Sequence, residues 1–107
     1  MVVEQYEVVL VNLDPTMGSE IKKTRPCVVI SPDEMNRHLD IVIIAPMTST
    51  SKHYPTRVST KLDNKQGWIV IDQIRTVDKK RLIKILGRLK ESEIKKVKEV
   101  IKETFVD

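Results

Sequence analysis

Apolar residues fall in short runs up to Leu89, and after it their period changes. Tyr6–Leu13 (YEVVLVNL) is apolar and rich in β-branched residues, which predicts a buried strand. Asp14-Pro15 ends it in a turn, and Gly18 frees the polar loop that follows. Arg25–Ser31 is a second strand, with Pro26 at its start, where a missing N–H is tolerated. Pro32–Asn36 reads as one helical turn or a β-turn, with Ser31 as its candidate cap. Asp40–Met47 (DIVIIAPM) is nearly continuous in hydrophobicity, so both of its faces are expected to be covered. Pro46 places the end of that strand at an edge or a bulge. Thr48–Tyr54 is a loop of Ser, Thr and Lys, and Thr56–Thr60 is a short half-polar strand.

Leu62–Gly67 is a turn cluster, and Trp68–Asp72 is the next strand. Gln73–Lys80 reads as a connection, and Leu82–Leu89 as a further strand or a strand with a bulge, broken at Gly87. In Glu91–Phe105 the positions Ile94, Val97, Ile101 and Phe105, widened by Val100, form one stripe of an amphipathic helix. Its other face pairs Glu91 with Lys95 and Glu99 with Lys102. The expected fold is mainly β with α: a small antiparallel barrel or half-open sheet with the C-terminal helix packed on it. The 107 residues suit one domain, 1–107, with no repeat and no linker.

Composition narrows the chemistry. Aromatics are scarce (Tyr6, Tyr54, Trp68 and Phe105), which argues against a sheet that stacks several bases. The single cysteine, Cys27, rules out an internal disulfide and lies in an apolar run, as a buried inert thiol would. His38 and His53 are isolated, so no metal site and no cofactor is expected. The start has no basic leader and no run approaches membrane-spanning length, so the expectation is a cytoplasmic protein without membrane contact. Net charge is +4. Residues 1–89 hold 14 Lys and Arg against 10 acids, while the segment from Lys90 onward holds five of each. The basic excess therefore lies in the body of the chain, as a polyanion partner would need.

Two polar stretches sit at strand ends. Gly18–Arg25 runs into the second strand, and Thr48–Lys52 leaves the third. An arginine and a hydroxyl held by neighbouring strands can grip one phosphate. RNA cleavage by the substrate's own 2′-OH needs no protein nucleophile. It needs a cation and donors for the oxyanionic phosphorane, a base near the 2′-OH and an acid near the leaving oxygen. Arg25 fits the first need, since a guanidinium binds two phosphate oxygens. Thr48 supplies a neutral donor, and Glu20 or Asp72 a base. From residue types alone, Arg25 is equally a salt-bridge partner for Asp72 or Glu20, and Thr48 a turn-former.

The chain resembles the MazF/PemK family of toxin endoribonucleases along nearly its whole length. The resemblance is carried by Val11-Asn12-Leu13-Asp14-Pro15, Gly18-Ser19-Glu20, Thr24-Arg25-Pro26 and Pro46-Met47-Thr48-Ser49. Tyr54-Pro55 and Asp72-Gln73-Ile74-Arg75-Thr76-Val77-Asp78 extend it. It implies an SH3-like barrel, a homodimer, and metal-independent, sequence-specific cutting of single-stranded RNA to 2′,3′-cyclic phosphate and 5′-OH ends. It places the catalytic pair on Arg25 and Thr48, with Glu20 beside the substrate. It also implies an acidic antitoxin whose tail covers the RNA groove. Ser19, Lys22, Lys23, Thr24, Ser49, Lys52, His53, Asp72, Gln73, Arg75 and Lys79 become candidates for RNA or antitoxin contacts. Thr24 stands where some relatives carry a histidine, and Val70 where some carry an arginine two positions before the aspartate. The competing reading within the same fold is a non-enzymatic, CcdB-like topoisomerase poison, which acts through its C-terminal residues.

Overall fold

Ile41–Thr48 is the strand around which the sheet is arranged. The computed structural model describes residues 1–50 and 53–106. In chain order the strands are β1 (Glu7–Asn12), β2 (Thr24–Val29), β3 (Ile41–Thr48), β4 (Arg57–Leu62), β5 (Lys65–Val70), β6 (Arg75–Asp78) and β7 (Leu82–Arg88). The helices are α1 (Asp33–His38) and α2 (Glu91–Phe105), with short 3-10 turns at Ile71–Gln73 and Lys79–Arg81. All pairings are antiparallel and run β4-β5-β3-β2-β1-β7, with β6 also on β3.

One edge of β3 carries β2, opposite Ile44–Pro46. Its other edge is shared: β6 pairs with Ile41–Ile44 and β5 with Met47 and Thr48. This hand-over curls the antiparallel sheet into a half-barrel. It also explains Pro46, which is buried in mid-sheet and not at an outer edge. Ile30 N–H donates to Ile43 O, and hydrogen-bonded pairs alternate along an antiparallel ladder. Pro46, opposite Cys27, therefore directs its ring nitrogen away from β2, into the gap between β6 and β5 where no N–H is required.

The continuous apolar run of β3 has the expected cause. Val42 and Ile44 enter one core cluster with Val9, Val11, Cys27 and Val29. Ala45 and Met47 point to the other face and join Val8, Val28, Ile69 and the helix residues Ile94, Val97 and Val100. Burial pushes the Cys27 thiol up to about 12, against the opposing pull of Arg75 and Arg25, so the thiol stays protonated and inert at neutral pH. Glu93 fastens α2 at its start: its carboxylate accepts from Lys90 N–H at 2.9 Å and from the buried Thr60 hydroxyl.

Several details differ from the sequence pattern. The segment expected to be a plain connection contains β6, a four-residue strand with one buried apolar side chain, Val77. The turn cluster shrinks to Asp63 and Asn64, whose φ values of 51° and 63° suit a two-residue hairpin turn, and β5 begins at once with Lys65. Trp68–Asp72 leaves the sheet after Val70. Ser31 does not cap α1: Pro32 holds the cap position, while the Ser31 hydroxyl donates to the Asn36 side chain and accepts from Ile43 N–H at 3.0 Å. In β7 the register shifts fall opposite Val8/Val9 and Leu10/Val11, and Gly87 itself pairs with Val8. Phe105, assigned to the helix stripe, is 58% exposed, whereas Ile94, Val97 and Val100 of the same stripe are buried. Among the described residues no helix is long and apolar enough to cross a membrane.

Candidate active site

Arg25 and Thr48 meet because of strand register. The β2–β3 ladder ends at Cys27 opposite Pro46. Two residues further along, the same register sets Arg25 opposite Thr48, and opposite residues project their side chains to the same face. Both side chains line a cavity of about 260 Å³ whose other wall is the β4–β5 hairpin, through Leu62, Asp63, Gln66 and Gly67. They line a second cavity of about 330 Å³ together with Glu20, Lys22, Arg57 and Gln73. The catalytic pair and the nearby carboxylate expected from sequence thus share one cleft.

Arg25 makes no ion pair among the described residues, so the salt bridge to Asp72 or Glu20 that its residue type allowed does not form. Its Nε donates to Lys22 O at 2.9 Å, which fixes the side chain by a backbone contact and leaves its charge unneutralised. Thr48 is 9% exposed. Its hydroxyl accepts from Thr50 N–H at 3.3 Å and donates to Thr50 O at 3.4 Å, and the second is a long contact that a stronger acceptor can displace.

The loop before β2 is tied down at many points. Arg75 donates to Leu13 O at 3.4 Å, and Arg81 to Asn12 O at 3.1 Å and to Asp14 O. The Asp14 carboxylate accepts from Lys23 N–H at 2.9 Å. Glu20 folds back, its carboxylate accepting from Met17 N–H at 2.6 Å. Gln73 accepts from Ile21 N–H at 2.8 Å. Arg75 and Gln73, expected to meet RNA, therefore also build the loop. Lys79, a further candidate, donates to Asn36 O and holds α1.

Asp72 has a partner that sequence did not reveal. Arg57 of β4 reaches its two oxygens at 3.3 and 3.4 Å, and Thr56 Oγ1 donates to it at 2.8 Å. Arg57 lies opposite Val70 in the β4–β5 register, so its charge reaches Asp72 from the neighbouring strand. It also sits 5.3 Å over the Tyr54 ring. Only the register identifies it, which is why pattern reading passed over it. Burial alone would raise the Asp72 carboxyl, but the Arg57 and Thr56 hydrogen bonds and the Arg57 charge outweigh it and hold the group below its usual range. That makes Asp72 a poor proton acceptor.

The native Asp72 titrates lower than the unfolded one. Its contribution to stability is complete above the ordinary carboxylate pKa and is lost as pH falls through the lowered native value. Asp72→Asn is expected to lower the urea midpoint at neutral pH and to converge with wild type in acid. Equal midpoints at both pH values would show that the pair contributes nothing to stability.

Of the remaining candidates, Ser19 lines the 330 Å³ cavity and a neighbouring one of about 400 Å³ that includes Asp72, Gln73 and Arg75. Ser49 lines the hairpin cavity. Lys23 and Thr24 are exposed at the start of β2 and line none of these three cavities. His53 is exposed and meets Trp68 edge-on at 5.6 Å. Lys52 lies outside the described residues. Among the described residues no three His, Cys, Asp or Glu side chains gather into a metal-binding set.

The family described as the PemK-like, MazF-like toxin of type II toxin-antitoxin systems matches residues 4–105. Endoribonuclease MazF of Staphylococcus epidermidis is 38% identical over 99 residues, covering 86% of this chain and 82% of that protein. The crystal structure of MazF (Form-I) from Deinococcus radiodurans has a TM-score of 0.85 at 25% identity, covering 96% of both chains. A MazE-MazF crystal structure (Form-II) from the same organism has a TM-score of 0.79 at 25% identity over 96% of this chain and 95% of that one. With the family matched over nearly its full length, this chain belongs to the PemK-like, MazF-like toxins of type II toxin-antitoxin systems.

Proposed function

We propose that this chain is an endoribonuclease toxin that cuts single-stranded RNA at a preferred sequence, without a metal, by transesterification. The carrying observation is that Arg25 and Thr48 face the same cavities from adjoining strands. In this reading the guanidinium holds two oxygens of the scissile phosphate and the Thr48 hydroxyl donates to it. The RNA 2′-OH attacks the phosphorus, the 2′-O–P bond forms, and the P–O5′ bond breaks. Glu20, in the same cleft, takes the 2′ proton, and solvent water gives a proton to the leaving 5′ oxygen. The products are a 2′,3′-cyclic phosphate and a 5′-OH.

The same cleft suits an acidic antitoxin tail, since Arg25, Lys22 and Arg57 line it. That tail would order on binding and exclude RNA. The relative from Deinococcus radiodurans crystallised as a MazE-MazF pair supports this partner. The reading also includes a homodimer. Ile83, Ile85 and Leu86, exposed on the outer strand β7, support a covered face.

Incubation of the purified protein with a long single-stranded RNA in EDTA tests the function. Discrete fragments with cyclic-phosphate ends are the expected result. Intact RNA together with inhibited gyrase would replace this reading with that of a topoisomerase poison.

A further inference from the structure

We propose that Gln73 is a positioning residue, whose side-chain carbonyl latches the loop that aims Arg25. The proposal rests on the ribonuclease reading above. Gln73 and Ile21 are 52 positions apart, yet Ile21 N–H lies 2.8 Å from Gln73 Oε1. A backbone N–H can only donate, so the side-chain atom facing it must be the amide oxygen. Gln73 is itself on firm ground. It ends the 3-10 turn Ile71–Gln73, where Ile71 is fully buried and Ile74 N–H closes the turn onto Ile71 O at 3.3 Å.

The latch acts on the point of the loop nearest the catalytic arginine. Ile21 is half-buried and packs against the core cluster beneath the loop. The next residue, Lys22, supplies the carbonyl that accepts from Arg25 Nε at 2.9 Å. The latched amide and the group that sets the guanidinium's direction therefore belong to adjacent residues. Upstream, Met17 and Glu20 bond to each other, and Gly18 adopts φ 55°, so that stretch gives Ile21 no anchor of its own. Without the Gln73 oxygen, the Lys22 carbonyl is steered from one side only, by the Lys23 N–H of the same peptide on Asp14 at 2.9 Å, and Arg25 loses a fully fixed acceptor. A displacement of about 1 Å at a reacting group costs about 10²-fold in rate.

The alternative role for Gln73 is direct contact with RNA, and kinetics separate the two. Gln73→Met keeps the side chain's length and removes the acceptor. It is expected to speed exchange of the Ile21 amide, read by NMR, by about tenfold or more. It is also expected to lower single-turnover kcat about 10- to 100-fold with KM within about twofold of wild type. Gln73→Glu offers a carboxylate oxygen to the same N–H and should restore slow Ile21 exchange. Unchanged Ile21 exchange in Gln73→Met would overturn the latch. A rise in KM with unaltered kcat would overturn the positioning role in favour of RNA contact. If the wild-type protein left RNA intact, the ribonuclease reading would fall, and Ile21 exchange would still decide whether the latch exists.

Discussion

Arg25→Ala is expected to reduce RNA cleavage by at least about 10³-fold, the scale on which an arginine stabilises a phosphoryl transition state. The fold should survive. Arg25 makes no ion pair among the described residues, and its Nε bond is to a loop carbonyl, not to the core. The urea midpoint should therefore shift little, in line with substitutions away from packed features. Arg25→Lys should recover only a fraction of the rate, because an ammonium carries the charge without the planar fork that binds two oxygens. Near-wild-type cleavage by the alanine variant would remove Arg25 from the mechanism.

Thr48→Ala is expected to cost about 10²-fold in cleavage rate, as for loss of one oxyanion donor. The hydroxyl donates to Thr50 O at 3.4 Å, a contact long enough to be exchanged for a phosphate oxygen, while it keeps accepting from Thr50 N–H at 3.3 Å. Thr48→Ser keeps the donor and should retain most of the activity. An undiminished rate in the alanine variant would leave Thr48 as a turn-former at the end of β3.

Much of this architecture is legible in the order of residues alone. The helix Glu91–Phe105 was bounded by its period, and β3 by a hydrophobic run with no polar face. Arg25 and Thr48 were legible as strand ends, but their opposition depends on the β2–β3 register, which no local pattern encodes. β6 escaped notice because its strand character comes from the stretch of β3 edge that it fills, and Val77 is its one buried side chain. Arg57 was missed for a similar reason. Nothing near it in sequence announces Asp72, and the two meet only across the β4–β5 ladder. Phe105 is the opposite case: it continues the apolar period of the stripe and is nonetheless exposed, since a period marks a helix face but not how far along it the packing extends.

The central claim is that one guanidinium and one alcohol hold the same scissile phosphate. Single-turnover rates of wild type, Arg25→Lys, Thr48→Ala and the double variant test it most directly. Groups acting on one phosphate are coupled, so the double variant should lose clearly less than the product of the two single losses. A loss equal to that product would mean that the two side chains act independently, and the shared-phosphate account would be wrong.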